Sequence, residues 1–501
     1  MIVLKRAFDG LLALGLLLGL AGAARAQAPD AMPPALEQAL GEAAQLTDSG
    51  KPEEALPRLD ALLAAAELPG EKARVQAIRT FALARLERVA EARAAGEAAL
   101  AGLEAPPPSL FRLMVFLRGA SEDHAGTAEL LIQLASGDGK LLAEVPEQWI
   151  LAARRGLRDD EARLFDLDYA LVLAGWSPED SIDSLDVVRL DAIAGLLRRD
   201  RREEAAELLA AVSKPEVLMS VAIDRRYEPL WPAAEAKLGA KGEKAAQGWL
   251  ALAKAAFEAK PESLPRRADY IDALDDVGQR EEGLKIGNVA TTPEELAKLA
   301  ESDIWMVSMH ARLLGDTGRP DEGWARYAAL NALDTRRQPF LLNSMINQAL
   351  YGLSIDRLEH ALAAAVIAEA NATMASDFGK AYIVQAKACA LSRLGRADEA
   401  ARIAAPLIDK PATNDAAYLT TMLCLGRDAD AGAAAVRMLG ADSSRGTLLQ
   451  ELQAFMIAPT KLRQDAWMRA RMTALRKRPE VAAAFARAGR DLPAELVNPN
   501  W

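Results

Sequence analysis

The strongest constraint in this sequence is a short turn that keeps returning. It reads GKPEEA at 50–55, GQREEG at 278–283, GRPDEG at 318–323, GRADEA at 395–400 and GRDADA at 426–431. Looser copies begin at residues 87, 120, 157, 200, 240 and 356. In chain order the intervals are 37, 33, 37, 43, 40, 38, 40, 38, 39 and 31 residues. A spacing near 38, held over most of 501 residues, marks an internally repeated unit.

Each element of the turn has a physical use. Glycine ends a helix by taking the left-handed conformation that other residues resist. Pro, Asp and Glu then suit the first turn of the next helix, where no N–H partner is needed and negative charge meets the positive helix end. The small residue five positions after the glycine lets the second helix approach its neighbour. Between turns the apolar spacing is helical: Ala400, Ile403, Ala404 and Leu407 share one face, as do Ile383, Ala386, Ala390 and Leu394. Pro69, Pro215, Pro293 and Pro411 punctuate the units, stopping one helix and setting the start of the next pair. Composition agrees. Aromatics are only 5% of the chain, and it is rich in Ala and Leu, the residues that lose least on entering a helix.

The unit resembles the tetratricopeptide repeat, in which Leu-Gly closes the first helix, Ala follows five residues later and Pro lies near the end. Leu394, Gly395, Ala400 and Pro411 match that outline, as do Leu425, Gly426 and Ala431. The resemblance implies an all-α fold, an α-solenoid of about ten or eleven stacked hairpins over residues 35–440. Intervals longer than the usual 34 and missing large aromatics imply an irregular superhelix. Residues 441–446, ADSSRG, read as a loop, and 441–501 as a basic C-terminal helical capping segment.

The first 26 residues are of another kind. Lys5 and Arg6 precede the apolar run LLALGLLLGL at 11–20, and Ala24-Arg25-Ala26 supplies a cleavage site before Gln27. This is the pattern of a secretory signal peptide, with residues 27–34 a flexible lead-in. The run is short for a membrane crossing. The expected destination is the periplasm of a Gram-negative bacterium. Lys5, Arg6 and Arg25 against Asp9 carry a net +2, so cleavage takes the formal charge from −11 to −13. An acidic chain of this kind does not suit nucleic acid as a partner.

Candidate chemistry is sparse. His124, His310 and His360 lie far apart without metal-ligand spacing, and His124 and His360 fall in exposed turns. SGDGK at 136–140 lacks the spacing of a phosphate loop. The acidic groups Asp159, Asp160 and Glu161, and Glu179, Asp180, Asp183 and Asp186, read as solvated helix starts. Trp249, Trp305 and Trp324 read chiefly as packing residues, with a partner surface as the alternative. No catalytic residue, cofactor or metal is expected. Cys389 and Cys424 fall on equivalent helices of adjacent repeats, offset by about one turn. That offset works against the Cα approach of about 7 Å that a bridge requires. Two buried free thiols are therefore expected, with a disulfide as the alternative in an oxidising compartment.

Residues 461–490 carry nine Lys or Arg against two acids. Arg469, Arg471, Arg476, Lys477 and Arg478 are read as the polar face of a cap or, alternatively, as a docking surface for an acidic partner or a membrane. The function expected is a non-enzymatic, exported scaffold that binds a protein or peptide partner in the cell envelope. The alternatives are a lipid or small-molecule carrier with an apolar interior and the superhelical part of a cell-wall enzyme.

Overall fold

A computed structural model describes residues 32–137, 142, 145–177, 184–300, 303–333, 341–457 and 465–501. The signal segment, residues 27–31, Asp138 to Lys140 of SGDGK, and Glu179, Asp180 and Asp183 lie outside them. Among the described residues there are 27 α-helices and no strand; one isolated backbone bridge pairs Asp224 with Gly489. The chain divides into two compact units, Met1–Pro178 and Glu179–Trp501.

The first unit is four successive hairpins. They are α1 (Pro34–Asp48) with α2 (Pro52–Ala65), α3 (Pro69–Arg85) with α4 (Val89–Gly102), α5 (Pro108–Ala120) with α6 (His124–Ser136), and α7 (Glu147–Gly156) with α8 (Glu161–Leu173). The second unit opens with α9 (Ser184–Arg198) and α10 (Arg202–Ala210). Next come α11 (Pro215–Ile223), a 3-10 turn (Arg225–Leu230), α12 (Trp231–Leu238) and α13 (Glu243–Ala259). Then follow α14 (Leu264–Asp276), α15 (Arg280–Gly287), the short α16 (Pro293–Leu296), α17 (Ile304–Asp316) and α18 (Pro320–Asn331). The regular hairpins end with α19 (Leu341–Ser354) and α20 (Leu358–Ala370), α21 (Asp377–Arg393) and α22 (Ala397–Asp409), and α23 (Asp415–Cys424) and α24 (Asp428–Gly440). The last three helices are α25 (Asp442–Glu451), α26 (Ala466–Arg476) and α27 (Pro479–Ala488). The protein is an α-solenoid, and all eleven turns read from the sequence separate two helices.

Nine of the eleven junctions close with one hydrogen bond. The N–H three residues past the helix end donates to the carbonyl five residues back, as in Lys51 to Leu46 (2.9 Å), Arg319 to Leu314 (2.8 Å) and Arg427 to Met422 (2.9 Å). This bond needs the intervening residue in the left-handed region. Five junctions place glycine there; Glu87, Glu122, Asp200 and Asp356 adopt it without that help. A second recurring contact pins the helix that follows. A basic residue just after the turn pairs with an acid three residues on: Lys51–Glu54, Arg88–Glu91, Arg201–Glu204, Arg319–Glu322, Arg396–Glu399 and Arg427–Asp430. The Arg hydrogen bond holds the Glu91, Glu322 and Glu399 carboxyls below their ordinary range. Such pairs are exposed and add little stability singly; they fix where the helix begins.

The small residue then goes into the core. Ala55, Ala92, Ala205, Ala361, Ala400 and Ala431 are fully buried. At Gly323 a Cβ would run into the Ala311 carbonyl and the Tyr351 hydroxyl, so glycine alone fits. The frame differs at two junctions. At 120–125 the left-handed residue is Glu122, so Thr127 takes the buried place given to Ala125. At 157–162, Leu157 is the buried end of α7, Asp160 caps α8, and Ala162 is exposed.

Packing also corrects other expectations. Met32 is buried with Leu40, Ala43 and Leu59, so the end of the presumed lead-in plugs the first hairpin's core and Pro34 already begins α1. Residues 442–451 form α25 instead of a loop, because the chain bends at extended Ala441 and restarts. Arg445 covers the turn by donating to the Leu439 and Gly440 carbonyls (3.0 and 3.2 Å), which α24 leaves without helical partners. Asp186 is buried and unsolvated; its carboxylate accepts from Arg189 (2.6 Å) and from the Ser213 and Lys214 N–H groups (2.7 and 2.8 Å) ahead of α11. His124 is half-buried against Gly156 in the next hairpin, while His360 is exposed with its ring edge toward Trp324.

Cys389 and Cys424 form a disulfide, with Cα atoms 5.0 Å apart. The free-thiol expectation fails because α21 and α23 are not level. The interval between their junctions, 31 residues, is the shortest of the ten, which shifts one helix along the other and offsets the difference in position. Ala386, Ala388, Ala390 and Ala417 are buried there and permit the close approach.

Candidate functional site

The C-terminal segment folds inward. Residues 442–451 and 479–501 return to the start of the second unit and pack on α11, the 3-10 turn and the loop before α13. The Arg490 N–H donates to the Ile223 carbonyl (2.9 Å) and its guanidinium to the Ala222 carbonyl (2.8 Å), pairs with Glu235 and stacks over Trp231 at 3.7 Å. Gly489 lies so close to the Ile223 carbonyl that no side chain fits. Gln450 donates to Ser220 (2.5 Å) and the Glu216 carbonyl (3.0 Å). At the chain end, Arg280 donates to the Asn500 carbonyl (3.1 Å), and Trp501 lies over Gly242.

The arginines that the sequence offers as a docking surface are engaged elsewhere, chiefly within the C-terminal segment itself. Arg469 donates to the Met456 carbonyl. Arg471 donates to the Leu423 carbonyl and pairs with Asp428, both at 2.8 Å. Arg476 pairs with Asp491 (3.0 Å) and lies over the Phe485 ring at 3.2 Å. Arg478 pairs with Glu480 at 2.6 Å. Lys477 is exposed. Of these hydrogen bonds and ion pairs, those of Arg471 tie the segment to the last repeat, and the others are internal to residues 441–501.

A different basic feature forms at the closure. Arg198 at the end of α9, Arg202 at the start of α10, Arg225 and Arg226 in the 3-10 turn, and Arg445 in α25 line a cleft of about 460 Å³. Asp442 lies among them, 3.6 Å from Arg198, 3.5 Å from Arg226 and 3.1 Å from Arg445. Arg226 is anchored from below by the buried Asp224 carboxylate (2.7 and 2.9 Å). Burial opposes its charge, but the bond to Asp224 and the surrounding charges outweigh that and raise its pKa. Arg225 pairs with Glu228 at 3.3 Å and donates to the Ala486 carbonyl at 3.1 Å. The doublets Arg198-Arg199, Arg201-Arg202 and Arg225-Arg226 are visible in the sequence. Nothing local says that residues 442–445 meet them from more than 200 positions away.

A second cleft, about 240 Å³, lies between α20, α21 and α22. Leu362, Val366, Leu391 and Ile403 make its apolar walls; Arg402, the Arg396–Glu399 pair and Lys387, which pairs with Glu369 at 2.6 Å, lie beside them. Trp249 is fully buried, whereas Trp305 is 60% exposed. Among the described residues no group of three or more His, Cys, Asp or Glu is placed to hold a metal, and no helix is long and apolar enough to cross a membrane.

No family model matches this chain. No curated protein matches it. Among solved structures, one described as "Structure of Naa15/Naa10 bound to HypK-THB" is similar at 16% identity and a TM-score of 0.23, over 90% of this chain and 76% of that chain. At that score the likeness carries no argument; the α-solenoid assignment rests on the helices themselves.

Proposed function

We propose that this protein is an exported, non-enzymatic scaffold that presents its hairpin array to a protein or peptide partner in the envelope of a Gram-negative bacterium. The observation that carries the reading is the array: most hairpins bury the small junction residue in the core, and successive helices leave grooves between them. The cleft between α20, α21 and α22 fits an extended peptide that offers apolar side chains and an acid. The Cys389–Cys424 bridge supports export, because disulfides persist in oxidising compartments. Lipid carriage needs a continuous apolar interior, and the larger of the two clefts is lined by arginine instead.

Photo-crosslinking in intact cells tests the reading. A photoreactive residue at Val366 or Ile403 is expected to trap one defined protein at both positions, and none from the turn at Gly50. No product, or the same product from Gly50, would contradict partner binding through this groove. Cell fractionation tests export: the mature chain should begin at Gln27 outside the cytoplasm, and an uncleaved cytoplasmic chain would contradict it.

A further inference from the structure

We propose that the arginine-lined cleft of the second unit binds a small oxyanion carrying at least two negative charges, either a phosphate ester or a di- or tricarboxylate. This goes beyond partner scaffolding and does not depend on it. Five guanidiniums converge from α9, α10, the 3-10 turn and α25, against two lining acids, Asp442 and Glu228. Asp442 reaches three of the arginines, Glu228 pairs with Arg225, Asp224 with Arg226 and Asp200 with Arg202, so four acids meet five guanidiniums and a single positive charge is left in excess. In a chain with a net charge of −11 this concavity concentrates the opposite sign, and a concave low-dielectric wall focuses that field on anions.

Guanidinium forks match the paired oxygens of carboxylate and phosphate. Arg226 and Arg445 are held in place with their Nε–Nη2 edges already used, on Asp224 and on the Leu439 and Gly440 carbonyls, so they supply charge and the forks open to a ligand belong to the rim arginines. Arg198, Arg202 and Arg225 stand at the rim, with side chains 37%, 67% and 48% exposed. Ala194, Leu197 and Pro229 supply an apolar floor for the ligand's frame. A volume of about 460 Å³ suits a small molecule and is too small for a folded partner.

Isothermal titration of the full mature chain, with inorganic pyrophosphate and tricarballylate as separate probes, tests the proposal. One saturable site with a Kd below about 1 mM is expected for at least one probe, weakening as salt rises. The double variant Arg198→Gln, Arg202→Gln should bind about tenfold or more weakly while its thermal unfolding is unchanged. The control Lys477→Gln should bind as the parent does. Binding of pyrophosphate alone assigns a phosphate ester, of tricarballylate alone a polycarboxylate, and of both a general oxyanion site. Failure of both probes at millimolar concentration, or equal binding by the double variant, would overturn the proposal.

Discussion

His310 and Asp276 are both displaced from their ordinary pKa by burial, and their effects on stability oppose each other. Burial, with Arg326 adding to it, lowers His310 to about 4. The unfolded chain therefore binds the proton first, so this group's stabilisation is complete above about 6.5 and declines as pH falls toward 4. Burial, with Asp272 and Asp275 nearby, raises Asp276 to about 7. Its contribution is present at low pH and is lost as pH rises through 7. Between pH 4 and 6.5 the two slopes offset. Thermal unfolding of Asp276→Asn should therefore show a midpoint that falls on acidification, and that of His310→Gln a midpoint that rises; parallel profiles for both variants and the parent would contradict these assignments. The turn residues give a second expectation. Glu87→Gly should raise stability by about 1 kcal/mol, because a side chain in the left-handed region carries that cost. Gly323→Ala should lower it by about 1–3 kcal/mol through overpacking. Equal unfolding midpoints for the two would contradict both.

Helices and turns were legible to different degrees. Glycine, proline and the buried small residue report local backbone demands, so the junctions at 278, 318, 395 and 426 can be read directly. Glu122 hides its junction because the left-handed residue there is not glycine, and the frame slips by two. Asp186, Arg445 and the cysteine pair depend on which helices meet and at what crossing, which no local pattern states. For the cysteines, reduction should destabilise the α21–α23 contact. Loop-closure entropy for a separation of 35 residues sets an upper figure of about 4 kcal/mol. A melting point unmoved by reductant, with both thiols initially free, would contradict the bridge.

At the scale of the whole chain, the eleven-fold repeat was readable because it restates one local rule, while the closure of the second unit was not. A basic stretch looks the same in sequence whether its arginines face solvent or meet carbonyls of the same chain. The pairing of Arg490 with Ala222, Ile223 and Glu235 spans more than 250 residues and leaves no periodic trace. It also creates the arginine-lined cleft, by bringing Asp442 and Arg445 to Arg198 and Arg226. Amide hydrogen exchange on the protein, with and without residues 489–501, tests this closure most directly. The account predicts that the Arg490 and Trp501 amides are protected in the full chain. It also predicts that the truncation raises exchange across residues 215–230 while hairpins α1 to α8 keep their rates. A tail that exchanges as fast as unstructured peptide, or a truncation that leaves 215–230 unchanged, would contradict it.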